Sequence, residues 1–146
     1  MSEPSIVATW ERLVRFHRAT TKAMDQHLRD ASGHSLEDYD VLHQVGVHDG
    51  PIRMGDLAER LLVANSSCNR IVARLVEAGF LERHRGADDR RVITVALTAD
   101  GHRLRRRMAA LHTRDIDALF GSRLSDTEHR HLDDILESLG DDRPPT

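Results

Sequence analysis

Between Ile6 and Leu28 the positions Ile6, Trp10, Leu13, His17, Thr21, Met24 and Leu28 recur every three or four residues, the period of one helical face. The stripe predicts a helix from Ser5 to Ala31, about 40 Å long at the usual helical rise. A chain of 146 residues has no core large enough to cover such a helix along its length. The stripe therefore calls for a second long helix, either elsewhere in the chain or in a second copy of it. Gly33 is placed to stop the helix.

Shorter periodic segments follow. Ser35 is the expected N-cap of a second helix reaching about His48, with Asp38 three residues on and Leu36, Tyr39, Leu42 and Val45 on its buried side. The run His48-Asp49-Gly50-Pro51 breaks it. A third helix is predicted from Gly55 to about Leu62, with Asp56 in its first turn. A fourth runs from Asn65 or Ser66 to Ala78, and Gly79 ends it in a left-handed conformation. Phe80–Arg85 and Arg91–Leu97 read as strands, the second placing Ile93, Val95 and Leu97 on one face. Between them Gly86 is expected at a positive φ, with Asp88 and Asp89 supplying turn hydrogen bonds. Thr98 caps a fifth helix reaching about Phe120. Ser125 and Glu128 form a capping box for a sixth, whose Leu132, Ile135, Leu136 and Leu139 are expected to pack inward before Gly140. No internal repeat is visible.

The predicted fold is mainly α with a small β-hairpin (α+β). Two short helices joined by a tight turn and followed by a hairpin make a winged helix-turn-helix, flanked by long N- and C-terminal helices. The boundaries are 1–34 for the N-terminal dimerisation helix, 35–100 for the winged helix-turn-helix, 101–140 for the C-terminal dimerisation helices and 141–146 for a disordered tail. The dimer follows from the stripes on the first, fifth and sixth helices, which would otherwise leave a large apolar surface wet.

Composition narrows the function classes. Hydrophobic content of 39% and charged content of 31% belong to a globular chain. The single cysteine, Cys68, excludes an intrachain disulfide and fits a reducing cytoplasm. No secretory leader and no membrane-length apolar run is read, so the expected location is cytoplasmic, with no membrane partner. A formal net charge of −3 carries no overall nucleic-acid signature, but charge placement does. Residues 70–91 hold six arginines against Glu77, Glu82, Asp88 and Asp89, a net +2 within an acidic protein.

That basic segment contains the helix that would enter a DNA groove. Cys68, Ile71, Val72 and Leu75 form its inner stripe, leaving Asn65, Ser66, Ser67, Asn69, Arg70 and Arg74 on the other sides. Asn pairs with adenine, Arg with guanine or phosphate, and hydroxyls with phosphate. Arg85, Arg90 and Arg91 surround the hairpin tip. An ordinary solvated polar face is the alternative for the helix, and a local salt bridge is the alternative for Asp89 and Arg91.

The segments Met54-Gly-Asp-Leu-Ala-Glu-Arg-Leu61, Asn69-Arg-Ile-Val-Ala-Arg-Leu-Val-Glu-Ala-Gly-Phe-Leu-Glu-Arg83 and Asp88-Asp-Arg-Arg-Val-Ile-Thr-Val-Ala-Leu-Thr-Ala-Asp-Gly101 occur in an order that resembles the MarR (multiple antibiotic resistance regulator) family. The resemblance, carried by the order and spacing of these pieces, covers nearly the whole chain. It implies a homodimeric winged-helix transcriptional regulator on a pseudo-palindromic operator in double-stranded DNA. The family's D-x-R wing motif falls on Asp89 and Arg91, with Arg90 between. That implies Arg91 as a minor-groove reader, where negative potential concentrates, and Asp89 as the carboxylate that fixes it. The resemblance also implies a repressor released by a small, often aromatic and anionic, effector bound between the helical and winged parts. Trp10, His17, Tyr39, His43 and Met108 are the candidates to line that pocket, with plain core packing as the alternative for Trp10, Tyr39 and Met108.

Other chemistries find less support. The ten histidines are scattered, none forms HExxH and Cys68 has no CxxC partner, so neither a metal site nor a cofactor is predicted. A metal- or redox-responsive regulator of the same fold stays as an alternative, although Cys68 on the inner stripe reads as a small hydrophobe. No GxSxG, P-loop or dinucleotide fingerprint is present, so no enzyme is predicted. A winged helix serving only protein interaction is the remaining alternative, and it would need neither the polar helix face nor the D-x-R motif.

Overall fold

The computed structural model describes residues 3–140, and the expected tail at 141–146 lies outside them. The elements are α1 (Ile6–Ser32), α2 (Leu36–Val47), β1 (Ile52–Arg53), α3 (Met54–Leu61), α4 (Asn65–Glu77), β2 (Leu81–Arg85), β3 (Ile93–Leu97), α5 (Ala99–Leu119), a 3-10 turn (Gly121–Arg123) and α6 (Asp126–Ser138). The chain forms two compact units, residues 1–112 and 113–146, and α5 runs through the boundary. No helix among the described residues is long and apolar enough to cross a membrane.

Helix starts follow the expected chemistry. Ser5 Oγ accepts from Ala8 N at 3.1 Å, satisfying one of the orphan amides of the first turn. At α2, Ser35 Oγ accepts from Asp38 N and Asp38 Oδ2 accepts from Ser35 N, both at 3.1 Å. Asp38 thus completes a capping box that Glu or Gln more commonly closes. Ser125 and Glu128 form the same box at α6. Gly79 takes the expected left-handed conformation after α4, and Gly33, expected as a stop, ends α1 in a left-handed conformation too.

In the first unit a single hydrophobic core gathers Leu28 of α1, Tyr39, Val41, Leu42 and Val45 of α2, Leu57 of α3, Cys68, Ile71, Val72 and Leu75 of α4, Leu81, Val95, and Leu104 and Met108 of α5. Only Met24 and Leu28 of the long α1 stripe are buried, while Trp10 stays 64% exposed. The three-stranded antiparallel sheet has the order β1-β3-β2. Its first strand was not expected. Ile52 and Arg53 pair with Val95 and Thr94, and two residues show no alternation that a sequence pattern detects. Val95 is the fully buried residue of β3, with Ile93 and Leu97 partly covered.

Two glycines set the wing by close approach. Gly86 was expected at a positive φ, but it does not adopt one. Its N–H donates to Val92 O at 2.9 Å, and a Cβ there would stand 2.6 Å from Asp89 O. The missing side chain, not the missing φ restriction, is what the turn uses. Gly101, in the first turn of α5, is buried, and a Cβ on it would collide with the Phe80 carbonyl. Thr98 Oγ1 accepts from Gly101 N at 3.0 Å and donates to Gly79 O at 2.6 Å. One hydroxyl therefore joins the end of the α4 segment to the start of α5.

The second unit corrects one expectation. Ile135, Leu136 and Leu139 do not pack inward: all three are exposed, Leu132 is half-buried, and α6 buries none of its residues. Periodicity reveals an apolar face but not what covers it.

Candidate nucleic-acid interface

Helix α4 is fixed by its inner stripe, since Cys68, Ile71, Val72 and Leu75 are all buried. Asn65, Ser66, Asn69, Arg70 and Arg74 are exposed, and Ser67 is half-buried. The five exposed residues present amide, hydroxyl and guanidinium groups to solvent. Ala64 precedes the helix, and no side chain caps its first amides. A helix start of that kind attracts anions through its N–H groups and dipole. The turn leading to it carries Leu62 at φ 54, a left-handed conformation in a non-glycine residue.

Ion pairs divide the arginines of α4. Arg70 Nη2 lies 4.0 Å from Glu37 Oε2, with both side chains mostly exposed, a contact of little energetic weight. Arg74 Nη2 instead donates to Oδ1 of Asp38, whose side chain is only 6% exposed. Arg83, absent from the sequence-based candidates, donates from β2 to Asn69 O at 3.4 Å. Neither partner was legible in spacing, because each pair bridges separate elements.

At the wing, Arg85, Arg90 and Arg91 are exposed. Asp89 Oδ1 accepts from Arg91 N at 3.0 Å and lies 3.4 Å from Arg91 Nε. The shorter bond holds the backbone of the tip. The longer one restrains the guanidinium weakly, leaving the Arg91 side chain 94% exposed. Helix and wing thus present cationic and amide groups on side chains whose backbones are anchored.

The candidate effector residues separate. Tyr39 and His43 come together with ring centroids 5.6 Å apart, and His112 stands 4.8 Å from Tyr39. Met108 is fully buried in the core. Trp10 lines a groove made by α1 alone, with Glu11, Val14, Arg15, Arg18, Ala19 and Lys22, and His17 is exposed on the same helix. A further residue joins the Tyr39 cluster: the Arg105 side chain covers Gly46, where any Cβ would collide with it. His43 Nδ1 and Arg105 Nε are buried without a hydrogen-bond partner. Burial first, and the Arg105 charge second, hold the His43 pKa below its usual 6.5.

Cys68 is buried and burial raises its thiol pKa, the reverse of what an oxidant-sensing thiolate needs. Among the described residues no three His, Cys, Asp or Glu side chains converge as a metal site.

Comparison with known proteins agrees with this geometry. Residues 32–92 match the MarR family profile. An uncharacterized HTH-type transcriptional regulator of Bacillus subtilis (strain 168), YcgE, is 33% identical over 89 residues, 60% of this chain and 52% of that protein. The chain thus spans about half the length of the curated relative it matches. Among solved structures, Sco3205 of Streptomyces coelicolor, a MarR family transcriptional regulator in complex with DNA, superposes with a TM-score of 0.84 at 22% identity, covering 95% of this chain and 91% of that one. BpsR of Bordetella bronchiseptica, whose DNA binding is regulated by 6-hydroxynicotinic acid, gives a TM-score of 0.81 at 21% identity over 91% of this chain and 98% of that one. At these identities the structural likeness establishes the winged-helix fold.

Proposed function

We propose, from the match of residues 32–92 to the MarR family profile, that the protein is a sequence-specific, DNA-binding transcriptional regulator without catalytic activity. The carrying observation is that α4 buries one face completely while its amide, hydroxyl and arginine groups stay exposed beside an exposed arginine wing. Asn65, Ser66, Ser67, Asn69 and Arg70 read the major groove and its phosphates, and Arg85, Arg90 and Arg91 reach the adjacent minor groove. Asp89 positions the wing tip. The protein acts as a homodimer through residues 1–34 and 101–140, so its two reading heads address half-sites about one helical turn apart.

Selection from a random duplex pool tests this reading. A pseudo-palindrome should enrich, and its affinity should fall with salt at a log–log slope of about −0.9 per phosphate neutralised. Failure to enrich any duplex, with salt-independent binding, returns the protein to the interaction-module reading. Arg91→Ala should weaken the selected duplex by about 1–3 kcal/mol. Unchanged affinity in a titration would leave Arg91 as half of a local salt bridge.

The regulator is a repressor released by a small anion. Support comes from His43 Nδ1 and Arg105 Nε, two buried nitrogens lacking partners beside the Tyr39 and His112 rings. An aromatic carboxylate supplies a ring for stacking and oxygens for those nitrogens. Titration with benzoate and its hydroxylated derivatives should show binding that Arg105→Gln abolishes, together with loss of duplex affinity. Binding unaffected by Arg105→Gln would remove this cluster as the effector site.

A further inference from the structure

Of the residues on α4, Arg74 alone is tied by its side chain to a buried group. Its partner, Asp38, is held from three directions. Asp38 Oδ2 accepts from Ser35 N at 3.1 Å and lies 3.4 Å from His34 Nδ1, while Asp38 N donates to Ser35 Oγ at 3.1 Å. The same joint is fastened to α1, because Asp25 Oδ1 accepts from Leu36 N at 2.8 Å. Asp38 is therefore a fixed point at the α1–α2 corner, and its free oxygen, Oδ1, meets Arg74 across 36 positions of sequence.

We propose that Arg74 is a positioning residue and not a DNA contact: the Asp38–Arg74 bond sets the angle at which α4 presents Asn65 to Arg70. The inference rests on the DNA-binding reading above. Three observations carry it. Arg74 stands nine residues beyond Asn65, about 13 Å along the axis, whereas bases are read from the N-terminal part of such helices. Turning Arg74 toward a phosphate would take from Asp38 Oδ1, on a side chain only 6% exposed, its guanidinium partner, a costly loss at a mostly buried carboxylate. Arg70, by contrast, faces an exposed Glu37 at 4.0 Å and is free to leave it. Near the middle of α4, the Arg83 bond to Asn69 O adds a second restraint, from β2. The reading helix is thus fastened to α2 and to β2 through arginines.

The experiment uses the full chain and the selected duplex, with affinity measured against salt for wild type, Arg70→Gln, Arg74→Gln, Asp38→Asn and the Asp38→Asn/Arg74→Gln double variant. Arg74→Gln should weaken binding to the selected duplex at least tenfold while leaving the salt slope and the affinity for unrelated duplex unchanged. Asp38→Asn should reproduce that loss, and the double variant should be no worse than either single change. Arg70→Gln should instead lower the slope by about 0.9. The proposal is overturned if Arg74→Gln lowers the slope as Arg70→Gln does, or if Asp38→Asn tightens binding by releasing Arg74 to a phosphate. Asp38→Asn keeps the shape of the capping side chain, so it carries the same test by itself should Arg74→Gln unfold on heating below the assay temperature. A wild-type protein with no selected, salt-dependent duplex is a different result, and it overturns the DNA-binding reading together with this one.

Discussion

His43 is a half-buried imidazole whose surroundings disfavour its charged form. Its folded pKa lies below 6.5, from burial first and the Arg105 charge second, so below about pH 6.5 the unfolded chain binds protons that the folded chain refuses. The stability associated with neutral His43 is complete above that pH and is lost as pH falls through the depressed value. Urea unfolding at pH 7.5 and 5.5 should show a smaller loss in His43→Gln than in wild type, and equal losses would contradict this linkage. Gly101 acts through space alone. Gly101→Ala forces a methyl group against the Phe80 carbonyl and should destabilise the protein by about 1–3 kcal/mol, read as a lower urea midpoint. A neutral result would mean that the start of α5 shifts freely.

Elements were legible where their determinants are local. The serine caps of α2 and α6 and the buried stripe of α4 depend on residues within one or two turns, and the structure places them as the pattern predicts. β1 was not legible because its two residues are a strand only through pairing with Val95 and Thr94. Gly86 was recognised as a turn residue, but its reason, the nearby Asp89 carbonyl, depends on how the turn closes. Asp38 with Arg74, and the Arg105 cover over Gly46, are meetings between elements that no periodicity encodes. The α3–α4 turn is an element that its own residue disfavours. Leu62 is 72% exposed at φ 54, so Leu62→Gly removes steric strain while losing few contacts. With a left-handed penalty of about 1–2 kcal/mol offset by the larger unfolded-state entropy of glycine, the net gain should be about 1 kcal/mol, seen as a raised melting temperature. A lowered one would show that the Leu62 side chain makes a stabilising contact.

At the scale of the whole molecule, the apolar residues divide into a sealed core and an uncovered set. The core unites α2, α3, α4 and β3 around Leu42, Leu57, Val72 and Val95. The uncovered set includes Ile6, Trp10 and Leu13 on α1, Ile135 and Leu136 on α6, and Leu139 at the C-cap of α6. The periodic pattern identified both sets as apolar faces, yet intrachain geometry covers only the first. If a second copy covers the other, Trp10→Glu/Leu136→Glu should shift sedimentation toward the monomer while leaving far-UV circular dichroism unchanged. A dimer that persists undiminished would locate the self-association surface elsewhere.

If the chain pairs with a second copy, its uncovered apolar residues also bear on the interval between synthesis and assembly. Each newly released chain exposes Trp10, Leu136 and Leu139 to every other chain nearby, and apolar surfaces of that kind join indiscriminately. Pairing of that kind and clumping would then be rivals, both second order or higher in chain concentration. Slow expression at low temperature should favour the orderly outcome, because chains then reach their partners before large numbers of orphans accumulate.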